Sequence, residues 1–392
     1  MNYILFEDHF TQFLKPFSDL HASFEVRCGK FTNLDRLFSI LKPTDSISLI
    51  VRPEIEEIIS EKFNNLNVNP NTIEPGIWLN GATIWSENIL KNISDGKTYA
   101  NEDILFAFTV SNKIIFDQIE KMILSKRKVT SQIELPHISF LWDAIKESHH
   151  QIQEDFLKNF PVRHGNIHHS AIMVNEESIH CGTDTIIKAG VIIDASNGPV
   201  IIEKNTLIEI GALLQGPLYI GKNSIINPGA NLRGNVIIGP FCKIGGEVED
   251  SIIHGYSNKQ HDGYLGHSYV GEWVNLGANT TSSDLKNTYG QIKFKFPELE
   301  VKTGEIFIGA MIGDFVRTGI STMLNTGSYI GIGANVFGGG FQEKYIPSFK
   351  WGKSEVVKWN LFIETCNRMK KRRNKNLTTA VINRLKNLYK FL

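Results

Sequence analysis

Apolar or small residues return at every sixth position through the middle of this 392-residue chain, and few folds accommodate that spacing. Ile167, Met173, Ile179, Thr185 and Val191 open the series. After a short insertion at Asn197-Gly198-Pro199 it resumes with Ile201, Leu207 and Leu213. It then moves one residue out of step and continues through Ile220, Ile226, Leu232, Ile238 and Ile244. A last run comprises Ile312, Thr318, Leu324, Ile330 and Val336. A period of six matches neither the roughly 3.6 of a helix nor the alternation of an ordinary strand. It fits the hexapeptide repeat of a parallel β-helix, in which three short strands make one triangular coil. The periodic residue then points into a narrow prism, and glycines such as Gly221, Gly239, Gly277 and Gly331 take corners where a Cβ would clash. Coils stacked about 4.8 Å apart cover one another's apolar surface. The reading is a left-handed parallel β-helix. Where the period breaks, at residues 251–267 and 281–303, loops are expected to leave the prism, and such loops tend to carry function.

The flanks have a different texture. Residues 1–160 hold few glycines and alternate apolar runs with helical spacing. Tyr3-Ile4-Leu5-Phe6, residues 46–51 and residues 104–110 read as strands, and Pro53 suits the first turn of a helix reaching Glu61. Residues 138–160 place Phe140, Leu141, Ile145, Ile152, Phe156 and Leu157 near a helical period. This alternation predicts an α/β domain. In the tail, the basic run Lys370-Lys371-Arg372-Arg373 precedes Leu377, Val381, Ile382, Leu385, Leu388 and Tyr389 at near-helical spacing. That pattern predicts an amphipathic helix that caps or clasps the β-helix with its cations in solvent. The expected domains are therefore residues 1–160, 161–345 and 346–392.

Composition excludes several classes. Lysine plus arginine (41) equals aspartate plus glutamate (41), which argues against a nucleic-acid binder. Cys28, Cys181, Cys242 and Cys366 form neither a disulfide framework nor a CxxC knuckle. Glu7 and Asp8 stand where a signal peptide would carry its apolar core, and no apolar run approaches the roughly 18 residues of a membrane span. A soluble cytoplasmic protein is expected.

The densest polar cluster runs from His254 to His267, with Asn275 one coil later. An unperturbed imidazole titrates near pH 6.5 and can take a proton from an amine or hydroxyl nucleophile. Nearby Lys and Arg would hold an anionic group, and Asn and Tyr would fix hydroxyls and an amine. The combination suits group transfer to a phosphorylated, hydroxyl-rich acceptor; the same residues could instead pair with one another at a subunit contact. His254, His261 and His267 also offer a zinc reading. His261-x-x-Tyr264 with Asn275 accounts for more residues, so no metal is expected there.

These segments resemble a known family. The motifs are Gly245-Gly246-Glu247-Val248, residues 255–266 (GYSNKQHDGYLG), 271–287 (GEWVNLGANTTSSDLKN), 313–327 (GDFVRTGISTMLNTG) and 346–352 (IPSFKWG). They resemble the acetyltransferase domain of the bacterial UDP-N-acetylglucosamine pyrophosphorylase / glucosamine-1-phosphate N-acetyltransferase family. The whole chain looks more like the shorter Bacteroidetes-type sugar nucleotidyltransferase variant, with N-terminal echoes at Leu14-Lys15-Pro16-Phe17, Arg27-Cys28-Gly29 and Trp78-Leu79-Asn80-Gly81. The resemblance implies that His261 is the general base, that Tyr264 and Arg233 contact a sugar phosphate, and that Asn275 binds near the amine. Lys259 and Lys286 would add phosphate contacts, and Ala278 and Gly338 would contact acetyl-CoA in a homotrimer. A family lysine one coil before the base has no counterpart, since Glu249 and Ser251 occupy that neighbourhood.

The N-terminal half departs further from the family. It lacks a Gly-rich loop, carries Leu20-His21-Ala22 in place of the variant's Thr-Arg-Pro, and has Ala82 where an Asp is expected. Arg27, Arg36 and Lys15 remain as basic candidates, so a degenerate domain is expected, with Mg²⁺ needed only if it is active. The implied activity is acetyl-CoA-dependent N-acetylation of an amino-sugar phosphate or nucleotide amino sugar. The alternatives are a bifunctional enzyme that also makes a UDP-sugar, and a non-catalytic sugar-nucleotide-binding scaffold.

Overall fold

A computed structural model describes residues 1–94, 96–126, 131–158 and 165–391. The expected boundary between residues 160 and 161 lies outside them, as do the last two residues of the helix expected over 138–160. The N-terminal sheet has seven strands, in the order Ser131–Gln132, Thr98–Ala100, Leu105–Val110, Gly76–Asn80, Asn2–Phe6, Ser46–Ile50 and Asn67–Val68. Asn2–Phe6 pairs in parallel with both neighbours, whereas Leu105–Val110 runs antiparallel to Gly76–Asn80. Its central strands are nearly continuous apolar runs because both sheet faces are covered. The helix Asn33–Ile40 begins where the Thr32 side chain accepts from the Asp35 amide. After Pro53 the chain makes a 3-10 turn, and the α-helix proper is Glu56–Lys62.

From Asn166 the chain winds a three-faced parallel prism. The first face runs from Asn166–Ile167 to Asn258–Lys259 and continues through Asn275, Arg317–Thr318, Asn335–Val336 and Lys350–Trp351. The second runs from Ile172–Val174 to Tyr264–Gly266, and the third from Ile179–Cys181 to Tyr345–Ile346. Strands of regular coils stand 18 residues apart, as in Ile220 beside Ile238. A Cβ on Gly239 would run into the His254 carbonyl of the next coil, so this corner admits only glycine.

The structure corrects two expectations about the repeat. The inward series is Ile202, Ile208, Leu214, Ile220 and onward, so there is no step at Ile220. Ile201 instead faces the N-terminal half, and Leu213 is exposed. Adjacent apolar pairs such as Ile201-Ile202 and Leu213-Leu214 let the series be read in either phase. Nor do residues 251–267 leave the prism. Ile237 pairs with Ile252 and Ile252 with Tyr269, so these coils merely lose one to three corner residues, and the strand on each face persists. The second break does leave: Tyr269 pairs with Met311, and between them an arm folds the antiparallel hairpin Lys293–Lys295 with Glu300–Lys302.

The third face is buried by the N-terminal half. Phe17, Ile138, Leu141, Trp142 and Ile145 pack with Ile201, Tyr219, Ile237, Tyr269 and Met311, and the arm adds Phe294 and Phe296. The helix Leu141–Lys158 lies within this contact and is pinned by Asp155, which receives Arg36 on both oxygens at 2.5 and 3.0 Å. Two helices, Trp359–Lys371 and Thr379–Lys390, close the chain where one was expected. They cover the corner between the third and first faces, where Trp273, Phe315 and Phe349 meet Phe362 and Leu385 beside Leu20 and Ile58 of the N-terminal half. The fold is thus an α/β unit, a left-handed parallel β-helix and C-terminal helices.

Because both members of the Arg36–Asp155 pair are almost fully buried, Asp155→Ala leaves an uncompensated guanidinium. It should destabilise the protein by about 3–5 kcal/mol, read by denaturant unfolding.

Candidate active site

His261 sits at the corner between the first and second faces, just after Asn258–Lys259, and its side chain is exposed. Lys259 holds this corner from inside. It occupies an inward position of the repeat, beside Ile244, is 3% exposed, and donates to the Gly245 (2.8 Å) and His261 (3.1 Å) carbonyls. Burial lowers its pKa to about 8 against the opposing pull of Asp262 and Glu247. Lys259 therefore braces the His261 backbone and does not face outward as a phosphate contact.

The same corner carries Ala278 on the next coil, where its carbonyl accepts from the Ser321 amide of the coil beyond (2.7 Å). Gly338 follows further along this edge, between Asn335–Val336 and the bridge from Met323 to Phe341. Its φ of 122° is one that a side chain would strain. Imidazole, alanine amide and glycine thus line one edge, each coil about 4.8 Å from the next.

Arg233 and Tyr264 lie on the second face, among carboxylates. Arg233 pairs with Glu247 (2.7 Å) and Glu249 (3.2 Å). The Tyr264 hydroxyl donates to Asp284 (2.8 Å) and lies 3.3 Å from Glu249. Burial and both carboxylates raise its pKa. His267 bonds Asp284 through Nδ1 at 2.8 Å. Burial opposes the imidazolium, but Asp284, Asp250 and Glu249 outweigh it and raise the pKa. Glu249, in the neighbourhood where the resembling family has a lysine, is thus one of two carboxylates that neutralise Arg233. Asn275 stands on the first face, its Oδ1 accepting from Asn258 at 3.4 Å. Lys286 is in the arm, bonded to the Gln291 carbonyl. The histidine trio is not assembled: His254 is buried against Phe17 and Tyr269, His261 is on the outer edge, and His267 binds Asp284.

In the N-terminal half two of the three cations expected to hold a triphosphate, Arg36 and Arg27, are engaged elsewhere. Arg36 binds Asp155 and the Cys28 carbonyl, and Arg27 bonds the His254 and Lys30 carbonyls. At the end of the first strand, Glu7 accepts from the Ser23 amide and from Arg52. Asp8 accepts from the Phe10 amide and from Asn80. These carboxylates satisfy the chain's own donors, and Ala82 supplies no further carboxylate, its carbonyl accepting from the Ile138 amide, so the donor set does not suit Mg²⁺.

A buried charge network at the junction of all three parts escaped sequence reasoning. His21 Nε2 bonds Asp314 at 2.8 Å, Nδ1 lies 3.7 Å from Glu25, and Lys62 pairs with Glu25. His21, Asp314 and Glu272 offer ligand atoms within 4.8 Å of one another. The His21 nitrogen nearest them is already bonded to Asp314, and the Lys62 and Lys370 ammoniums stand beside the group, so it reads as an ion network. The replacement of Thr-Arg-Pro by Leu20-His21-Ala22 was the only sequence signal for it.

Burial opposes the His21 charge, yet Asp314 and Glu25 raise its pKa from 6.5 to about 10. A raised folded-state pKa contributes stability that is complete below pH 6.5 and lost as pH climbs toward 10. The melting-temperature gap between wild type and His21→Gln should therefore be widest in acid and narrow steadily with rising pH, as read by calorimetry.

Residues 3–159 match a family model described as sugar nucleotidyl transferase. A bifunctional sugar-1-phosphate nucleotidylyltransferase/acetyltransferase of Sulfurisphaera tokodaii is 38% identical over 99 residues, 25% of each chain. The bifunctional protein GlmU of Methanococcus aeolicus is 36% identical over 115 residues, 28% of this chain and 27% of that protein. The chain spans about a quarter of the length of these relatives. Both are archaeal, so the similarity is to sugar nucleotidyltransferase/acetyltransferase proteins broadly. Among solved structures, a UDP-N-acetylglucosamine acyltransferase overlaps 57% of this chain and 80% of its own, at 17% identity and a TM-score of 0.23. The acetyltransferase domain of PglB from Neisseria gonorrhoeae overlaps 75% and 97%, at 13% identity and a TM-score of 0.22. At that overlap neither bears on activity.

Proposed function

We propose that this chain transfers an acetyl group from acetyl-CoA to the amine of an amino-sugar phosphate or nucleotide amino sugar. The observation that carries the reading is the exposed His261 on a corner braced by buried Lys259, in line along one edge with Ala278 and Gly338. His261 takes the proton that the acceptor nitrogen releases as its lone pair forms the bond to the acyl carbon. The Ala278 amide faces the oxygen on which charge develops, and the sulfur departs with the electron pair of the broken bond. The motifs that cover most of residues 220–352 resemble the acetyltransferase domain of the bacterial UDP-N-acetylglucosamine pyrophosphorylase / glucosamine-1-phosphate N-acetyltransferase family, and the Sulfurisphaera tokodaii relative is named as an acetyltransferase as well. Residues 1–160 act in this reading as a degenerate nucleotidyltransferase-like support to the catalytic part, 161–345, which 346–392 clasps. Their engaged cations and carboxylates support that role.

A homotrimer is part of the proposal. Ile320 (78%), Phe341 (65%) and Ile210 (57%) stand exposed along the edge and second face, apolar side chains that a second copy would cover. Sedimentation equilibrium should return three times the chain mass; a monomer at micromolar protein would rule this part out. Use of acetyl-CoA fits the expected cytoplasmic location. Among the described residues, no helix is long and apolar enough to cross a membrane.

The test is a panel of amino-sugar phosphates and nucleotide amino sugars incubated with acetyl-CoA, scored by free thiol. His261→Ala should lower turnover on the best acceptor by about 10²–10⁴-fold with the melting temperature retained. Near-normal turnover in that variant would defeat the assignment.

A further inference from the structure

We infer that the cavity between the first face of the prism and the helix Trp359–Lys371 binds the phosphates of a diphosphate-bearing ligand. The cavity is about 430 Å³ and is lined by Lys243, Asn258, Asn275, Arg317, Arg372 and Arg373 among others, with no carboxylate in its wall. Among the described residues none of these four cations takes part in an ion pair, whereas Arg233 on the second face has two acidic partners. Arg373 donates to Asn258 Oδ1 at 3.1 Å, a neutral acceptor that leaves its charge uncompensated. Arg317 Nε is buried without a partner, and burial lowers the pKa of its guanidinium.

The outward column of the first face shows how the sequence builds the site. In register it reads Ile186, Leu207, Ile225, then Lys243, Asn258, Asn275, Arg317 and Asn335. The column turns from apolar to polar at Lys243, one coil before the coil that carries His261 on the neighbouring corner. The second half of the wall comes from the tail: of the run Lys370–Arg373, expected to lie in solvent, Lys371 and Arg372 are exposed, whereas Lys370 and Arg373 fold back. Lys370 lies 5.0 Å over the Trp273 ring, and Arg372 and Arg373 reach the cavity.

Like charges gathered at the edge of a low-dielectric body repel one another, and the arrangement is relieved only by an anion. Guanidinium forks match phosphate oxygens bidentately, and the Asn258 and Asn275 amides add neutral donors. Gln260, the residue before His261, also lines the cavity, so a phosphate held there would lie beside the candidate base. The acetyl-transfer reading supplies only the choice of ligands: both a nucleotide amino sugar and coenzyme A contain a diphosphate.

The test reads binding without turnover, so acetyl transfer and this site can fail separately. The full-length chain is titrated by calorimetry with inorganic diphosphate, UDP and coenzyme A at low and high salt. Wild type should bind diphosphate, melt at a higher temperature in its presence, and weaken as salt rises. Arg317→Gln/Arg373→Gln should lower the affinity at least about tenfold. Without ligand it should melt no lower than wild type, since like-charge repulsion is relieved. Arg372→Gln, at an exposed position, should weaken binding in the same direction and guards against misfolding of the double variant. A response to UDP alone assigns the site to a nucleotide-borne acceptor, and a response to coenzyme A alone assigns it to the donor. No binding at millimolar ligand, or equal affinity in wild type and the double variant, overturns the proposal.

Discussion

Coil-on-coil stacking is the constraint from which the other features follow. Each coil buries an aliphatic residue per face against the coils above and below, and the ladder bonds run between coils. The prism interior is too narrow for anything but such side chains, and the corners come so close that a Cβ at Gly239 would overlap the neighbouring carbonyl. Function is therefore confined to the outer columns and the corners. Lys259 shows the exception: a lysine admitted to the interior must find carbonyl partners there, and those it finds belong to the corner that carries His261.

The N-terminal half determines which outer columns remain available. By covering Tyr219, Ile237, Tyr269 and Met311 it turns the third face into an internal interface. Cations that another arrangement could offer to a triphosphate are drawn into that interface, Arg36 onto Asp155 and Arg27 onto the His254 carbonyl. The C-terminal helices then occupy the corner between the third and first faces, with Arg384 bonded to the Asp19 carbonyl. What stays open is the second face, the edge with His261, and the first face beneath the basic end of the helix.

Electrostatics separates those surfaces further. On the second face, Arg233, Tyr264 and His267 are balanced by Glu247, Glu249, Asp250 and Asp284. On the first face, Lys243, Arg317, Arg372 and Arg373 face one another without a carboxylate in the cavity wall. A chain with no formal net charge has in this way divided its charge between two sides of one corner.

The hexad period alone makes the prism legible, because a side chain that must enter a narrow interior once per face imprints its spacing on the chain. The terminal strands and the long helix are legible for similar reasons of local pattern. The phase through Ile201, Leu207 and Leu213 is not, because doublets such as Ile201-Ile202 are apolar on both sides and only the packed N-terminal half distinguishes them. Coils shortened at residues 251–267 resemble a loop in the sequence, since a hexad count cannot tell a tightened corner from an excursion. The sequence alone determined the repeat and the amphipathic tail, which depend on neighbours in the chain. Tertiary structure decided which charges meet: Glu247 lies 14 positions from Arg233 and Asp314 lies 293 from His21, contacts that folding brings together beyond the reach of any local pattern.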